Sequence, residues 1–184
     1  MTEEVRKQIG YTSLFELNKE AKSPIIVNVG GAGSSKSYSI AQLFIYKLVN
    51  EQDKVFGVCR KTFPALRMTS MGLMLDLLKQ YGLYREHAHN KTANNYTYGN
   101  NIIWWFSLDE SEKIRSTNFS AIWVEEANEL DWEMYITLKL RLRQPVKEGE
   151  VNQMFLSLNP SDSFNFIAQK LCGVKLGDSN SKPH

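Results

Sequence analysis

Cysteine is scarce in this sequence. Cys59 and Cys172 stand far apart without C-x-x-C spacing, which excludes a disulfide framework and leaves both as packing residues in a reducing compartment. Histidine is equally thin: His87 and His89 lie close enough for a metal pair, but no Cys, Asp or Glu cluster completes a site. No apolar run approaches the length that spans a bilayer, and the charged start MTEEVRKQIG lacks the apolar core of a signal peptide, so a cytosolic protein is expected. A net charge of only +2 excludes a strong overall pull toward nucleic acid or anionic membrane; contact with DNA needs local patches. There is no internal repeat and no low-complexity tract. The 184 residues suffice for one domain with its own core.

What is present is concentrated first in GGAGSSKS, from Gly30 to Ser37. The apolar run Ile25 to Val29 precedes it and helix-like spacing from Tyr38 to Val49 follows, giving strand, loop, helix. Such a loop suits phosphate, because Gly30, Gly31, Ala32, Gly33, Ser34 and Ser35 are small enough for consecutive backbone N–H groups to converge on an anion. Lys36 adds a cation for the β- and γ-phosphates and Ser37 a hydroxyl for Mg²⁺, with Tyr38 opening the helix. Ser35 stands where G-x-x-x-x-G-K-[ST] has its last glycine, and serine tolerates positive φ less well. The plain reading is a polar turn between two elements.

Thr2 to Lys22 is predicted as a lead-in helix with Leu14, Phe15 and Leu17 as apolar contacts, ended by Ser23-Pro24. Lys54 to Cys59 reads as a second buried strand, so strand, helix, strand implies a crossover and a parallel sheet. Arg60-Lys61-Thr62-Phe63-Pro64-Ala65-Leu66-Arg67 follows at a strand's carboxyl end, where ligands of open α/β sheets sit, so Arg60 and Arg67 are candidates to reach phosphate or a carboxylate; solvated loop cations are the alternative. Met68 to Tyr81 is predicted as one amphipathic helix capped by Gly82. Thr92 to Phe106 predicts a hairpin turning at Gly99-Asn100-Asn101, its Trp104 and Trp105 assigned to core or sheet cover. Asp109 to Asn118 reads as a polar connection. Ser120 to Val124 is another buried strand delivering Glu125 and Glu126: the first acid suits the Mg²⁺ shell, the second can orient or deprotonate water. A helix over Asp131 to Arg143, a strand over Val151 to Leu158 ending in Asn159-Pro160, and a short helix over Ser163 to Leu171 complete the order. Asn159 is either a turn initiator or a partner for the attacking water or γ-phosphate.

Together, GGAGSSKSY, RKTFPALR, IWVEEANEL (Ile122 to Leu130) and SLNP (Ser157 to Pro160) resemble the ATPase domain of the large terminase subunit of tailed double-stranded DNA phages, over about Ile25 to Leu171. The serine-for-glycine loop looks familiar from the same family. The resemblance implies an α/β fold of the additional-strand P-loop NTPase type: a mostly parallel sheet flanked by helices, with a β-hairpin insertion. It implies ATP and Mg²⁺, and a motor that moves viral double-stranded DNA into a procapsid through the portal, with a small terminase subunit as partner. The setting would be the host cytoplasm, with no membrane, and the working form a homo-oligomeric ring, commonly of five. Phosphate-loop roles then fall to Gly30, Gly33, Lys36 and Ser37, the Mg²⁺ acid to Glu125, the catalytic carboxylate to Glu126, and the coupling motif to Ser157-Leu158-Asn159. An arginine supplied by a neighbouring subunit matches Arg115 by position, with Arg60 or Arg67 as rivals.

On this reading residues 1–171 form the ATPase domain and 172–184 a tail or linker, with nothing after Leu171 to build the nuclease domain of a complete large terminase. Three other readings stand beside it. Another additional-strand motor of the helicase or recombinase kind would share the first two motifs, and a small-molecule kinase would need an acceptor pocket and an arginine-rich lid. A nucleotide-gated module would have lost turnover through Ser35 and Glu125.

Overall fold

The computed structural model describes residues 10–159 and 166–172, apart from 32 and 110. The Ala32 assignment and residues 163–165 of the helix expected over Ser163 to Leu171 therefore lie outside the described residues; the rest of that helix is present as a helical turn over Ile167–Leu171.

The chain enters through α1 (Ser13–Glu20), where Thr12 caps the first turn by accepting from the Phe15 N–H at 3.0 Å. The helix is shorter than its predicted span, whose residues 2–9 are not described, and its faces differ from expectation. Phe15 is buried, but Leu17 is 66% exposed, because one short helix turns only one stripe inward. Strand β1 (Ile25–Val29) leads to α2 (Lys36–Asn50), in which Ser39 to Ile45 are all buried. Strand β2 (Val55–Arg60) is followed by α3 (Phe63–Leu66), a kinked turn (Arg67–Met71) and α4 (Gly72–Gln80). The single helix predicted from Met68 is thus broken at its start. Gly82 closes α4 at φ +66°, with the Leu83 N–H donating to the Leu78 carbonyl at 2.8 Å.

Next come β3 (His89–Asn90), β4 (Asn95–Tyr98), β5 (Asn101–Ser107), α5 (Ser111–Ser116) and β6 (Ala121–Glu125). The last named elements are α6 (Trp132–Lys139) and β7 (Gln153–Leu158). Helix α5 forms inside the connection predicted as merely polar, because the fully buried Ile114 gives it an anchor. Helix α6 stops short of Arg143, since Phe119 pairs with Leu142 in an extended bridge.

The seven strands form one sheet in the order β1-β7-β6-β2-β5-β4-β3, parallel from β1 to β5 and antiparallel beyond. The predicted hairpin is therefore continuous with the sheet: β5 runs beside β2 from Val55↔Ile102 to Arg60↔Ser107. Strand β7 lies between the strand that leads into the glycine loop and the strand that carries the acids. Parallel pairing lines up all five carboxyl ends along one rim.

Period-2 alternation splits the core. Phe56, Val58, Trp105, Trp123 and Phe155 meet α1, α2 and α4 on one face. Cys59, Phe106, Ile122, Val124 and Leu156 meet α5 and α6 on the other. Trp105 and Trp123 are fully buried, each contributing roughly 2–3 kcal/mol by area. Trp104 stacks on Phe119 at 5.9 Å, which bears out its assignment as sheet cover. Burial raises the Cys59 thiol well above its ordinary range, so it packs as an inert apolar group; Cys172 is exposed, and the packing assignment fails for it.

Candidate functional site

The loop between β1 and α2 keeps the glycine-type shape despite its serine. Gly33 has φ +79° and Ser35 has φ +59°, so Ser35 itself adopts the left-handed conformation. The loop is tied to its surroundings at both ends. The Gly30 N–H donates to the Leu158 carbonyl of β7 at 3.3 Å. The Ser35 carbonyl accepts from the Ser39 N–H at 2.9 Å and the Ser39 hydroxyl at 2.7 Å. Ser39 Oγ lies 2.6 Å from Thr12 Oγ1, so the cap of α1 and the loop share one hydroxyl chain.

Lys36 folds back over its own loop. Its ammonium donates to the Gly30 carbonyl, to Gly31 O and Ser34 Oγ at 3.0 Å, and reaches Asn159 Oδ1 at 3.3 Å. Three N–H donors face four acceptors, so no single contact holds the lysine irreversibly. Asn159, just past β7, uses its other end on Glu126: Nδ2 donates to Oε1 at 3.4 Å. One amide thus bridges the loop cation and the second acid.

The two acids are presented differently. Glu125 is the last residue of β6, opposite Ser157, and only 7% exposed. Its Oε1 accepts from Ser37 Oγ at 3.3 Å; its Oε2 accepts from the Thr69 hydroxyl and from the Ser70 N–H at 3.2 Å. Glu126 leaves the strand in the left-handed conformation at φ +50°, which turns it out of the ladder and into an open cleft. That cleft, about 290 Å³, is lined by Ser35, Lys36, Ser37, Tyr38, Glu126 and Asn159, with Gly33, Ser34 and Ser157 at its wall. The Ser157 hydroxyl is held from behind, accepting from the Trp123 indole N–H at 2.9 Å.

The structure therefore gathers Lys36, Ser37, Glu126, Ser157 and Asn159 around one cleft, with Glu125 buried behind Ser37. It does not bring the arginines there. Arg60 forms an ion pair with Glu129 at 3.6 Å, because the turn after Glu126 returns over the end of β2. Arg67 lies exposed over the Phe63 ring at 5.1 Å. Among the described residues, these contacts lie away from the loop of Gly30 to Ser37 and from Glu125 and Glu126. Arg115 sits exposed on α5, its carbonyl accepting from the Arg141 guanidinium. Sequence reasoning missed Thr69 and Ser70, which it placed inside a regular helix; the only available signal was a pair of hydroxyl residues between Met68 and Met71.

A family model described as phage terminase large subunit matches residues 22–180. The PBSX phage terminase large subunit of Bacillus subtilis (strain 168) is 33% identical over 119 residues, covering 64% of this chain and 27% of that protein. The chain thus spans about a quarter of the length of that curated relative. Among solved structures, the large terminase of a thermophilic bacteriophage superposes with a TM-score of 0.72 at 16% identity, over 88% of this chain and 42% of its own. That terminase is also known in complex with ADP and with ATP-gamma-S. The Thermus phage P74-26 large terminase ATPase domain gives a TM-score of 0.56 at 11% identity, over 85% of this chain and 82% of its own. The structural likenesses establish the fold alone: a mostly parallel sheet flanked by helices, with β7 between the strand that enters the glycine loop and the strand that carries the acids. With the family match running through nearly the whole described region, the chain belongs to the phage terminase large subunit family.

Proposed function

We propose that this chain binds and hydrolyses ATP with Mg²⁺, as the motor domain that drives double-stranded viral DNA into a procapsid. The observation that carries this reading is the convergence of Lys36, Ser37, Glu126 and Asn159 on one cleft at the carboxyl rim of the sheet, with the buried Glu125 hydrogen-bonded to Ser37. The solved complexes of the thermophilic phage terminase with ADP and ATP-gamma-S support nucleotide binding by a chain of this fold.

The residues fit a magnesium ion. Ser37 Oγ and the Glu125 carboxylate are adjacent hard oxygen donors, and Ser70 Oγ is a buried hydroxyl with no hydrogen-bond partner among the described residues. Magnesium is typically held by one or two carboxylates, waters and substrate phosphates, a donor set that Glu125 and Ser37 would begin. When bound, the ion neutralises charge on the β- and γ-phosphates. Lys36 exchanges its contacts to the Gly30 and Gly31 carbonyls for phosphate oxygens. Glu126 takes the proton of the attacking water, and Asn159 holds that carboxylate from the β7 side. Because Asn159 also touches Lys36, movement of the lysine changes what holds Glu126, which links nucleotide occupancy to β7. Arg115, exposed and outside the cleft, is available to a neighbouring subunit in a ring. The portal, the small terminase subunit and DNA are the partners this reading requires.

Glu126→Gln tests the assignment. Phosphate release is expected to fall by about 10²–10⁴-fold while ATP-gamma-S binding is retained. Undiminished release would place the general base elsewhere.

A further inference from the structure

All but the first residue of the Arg67–Met71 turn lies outside the stretches that carry the family resemblance, yet the turn touches the acid at the end of β6. Thr69 has φ −114° and ψ −105°, which takes it out of the helical path between α3 and α4. A break of this kind frees backbone groups that a regular helix consumes internally. In an uninterrupted α-helix the Ser70 N–H would point along the axis at the carbonyl four residues back. Here it donates to Glu125 Oε2 at 3.2 Å, and the Thr69 hydroxyl meets the same oxygen.

Glu125 is nearly fully buried, so its carboxylate depends on these donors in place of water. The division of labour within the carboxylate is clear from geometry. Oε1 faces Ser37 and the cleft side; Oε2 is held by the turn. Thr69 has one hydroxyl proton and two acceptors, since the Ala65 carbonyl also lies 2.8 Å from its oxygen. The hydroxyl can therefore release Glu125 without becoming unsatisfied, whereas the Ser70 N–H stays in place.

We propose that Thr69, through its hydroxyl, and Ser70, through its backbone N–H, are positioning residues that orient Glu125 for the magnesium ion, making the Arg67–Met71 turn part of the nucleotide machinery. This rests on the reading of Glu125 as the magnesium carboxylate. Partners that orient a ligating carboxylate typically govern metal affinity by 10–100-fold when removed.

The test measures ATP-gamma-S affinity of the 184-residue chain by calorimetry, in EDTA and in Mg²⁺, for wild type, Thr69→Val, Thr69→Ser and Glu125→Gln. The ratio of the two dissociation constants isolates the contribution of the ion. Thr69→Val, which keeps the shape and loses the hydroxyl, is expected to lower that ratio by about tenfold or more. Its affinity in EDTA stays near wild type, and Thr69→Ser restores the ratio. An unchanged ratio in Thr69→Val overturns the proposal, as does a loss of affinity that is equal with and without Mg²⁺ or that serine does not restore. Should Glu125→Gln keep the wild-type ratio, the magnesium-carboxylate reading falls and this proposal with it. A ratio lost in Glu125→Gln but kept in Thr69→Val removes the positioning role alone.

Discussion

Replacing Ser35 with glycine should stabilise the nucleotide-free protein. Ser35 has φ +59° and ψ +12°, a conformation that costs a residue with a Cβ about 1–2 kcal/mol. Its side chain is exposed and makes no capping hydrogen bond to α2, so glycine forfeits no contact on that account. The carbonyl that accepts from Ser39 is retained. Against the relief stands the greater freedom of glycine in the unfolded chain, about 0.4–1 kcal/mol. The balance is a gain of roughly 0.5–1 kcal/mol, or a rise in melting temperature of roughly 1–4 °C for a domain of this size. Differential scanning calorimetry without nucleotide reads it, with Ser35→Ala as the control that keeps the Cβ and the strain. A lower melting temperature for Ser35→Gly, or an equal rise for Ser35→Ala, refutes the reasoning.

Two further perturbations probe the scaffold. A Cβ at Gly57 would sit 3.0 Å from both Phe106 Cε1 and Phe119 Cε1, fully buried rings with no room to retreat. Gly57→Ala should therefore cost about 1–3 kcal/mol in urea denaturation, and a wild-type midpoint would contradict the packing. Burial pushes the Tyr81 hydroxyl up to about 12, opposed by its hydrogen bond from Gln42 and reinforced by nearby Tyr38. The folded state thus prefers the neutral phenol: stability is fully present below the ordinary tyrosine value near 10 and is lost as pH rises from there toward 12. Tyr96 and Tyr135 are shifted in the same direction by burial, so Tyr81→Phe should flatten part of the alkaline decline; an unchanged slope would refute the assignment.

Local pattern carries a large part of the site. The apolar run before Gly30, the helical spacing after it and the paired acids after Val124 each announce their element within a few residues, and those elements appear where expected. What local pattern does not encode is pairing across distance. The contact of Thr69 with Glu125 joins residues 56 apart, and it exists only because β2 and β6 run side by side. Arg60 illustrates the same limit. A cation after a strand is equally a phosphate ligand or an ion-pair partner until the turn carrying Glu129 is placed against it. The hairpin signal is strong, but whether β5 joins the main sheet depends on its pairing with β2 rather than on its own residues. Conformation of the loop serine is legible only as a question, answered by the neighbouring Ser39 contacts that hold Ser35 left-handed.

A crystal structure of this chain with ATP-gamma-S and Mg²⁺ tests the central claim most directly. A second polar cleft, of about 140 Å³, opens at the amino ends of β2, β6 and β7, where Lys19 and Lys22, beside the Lys47–Glu51 and Lys54–Glu150 ion pairs, make a rival site for phosphate. The account predicts the nucleotide at the other end of the sheet, with Lys36 turned from the Gly30 and Gly31 carbonyls onto its phosphates and Glu126 facing the terminal one. A nucleotide seated among the four lysines, with Lys36 still folded over its own loop, would contradict it.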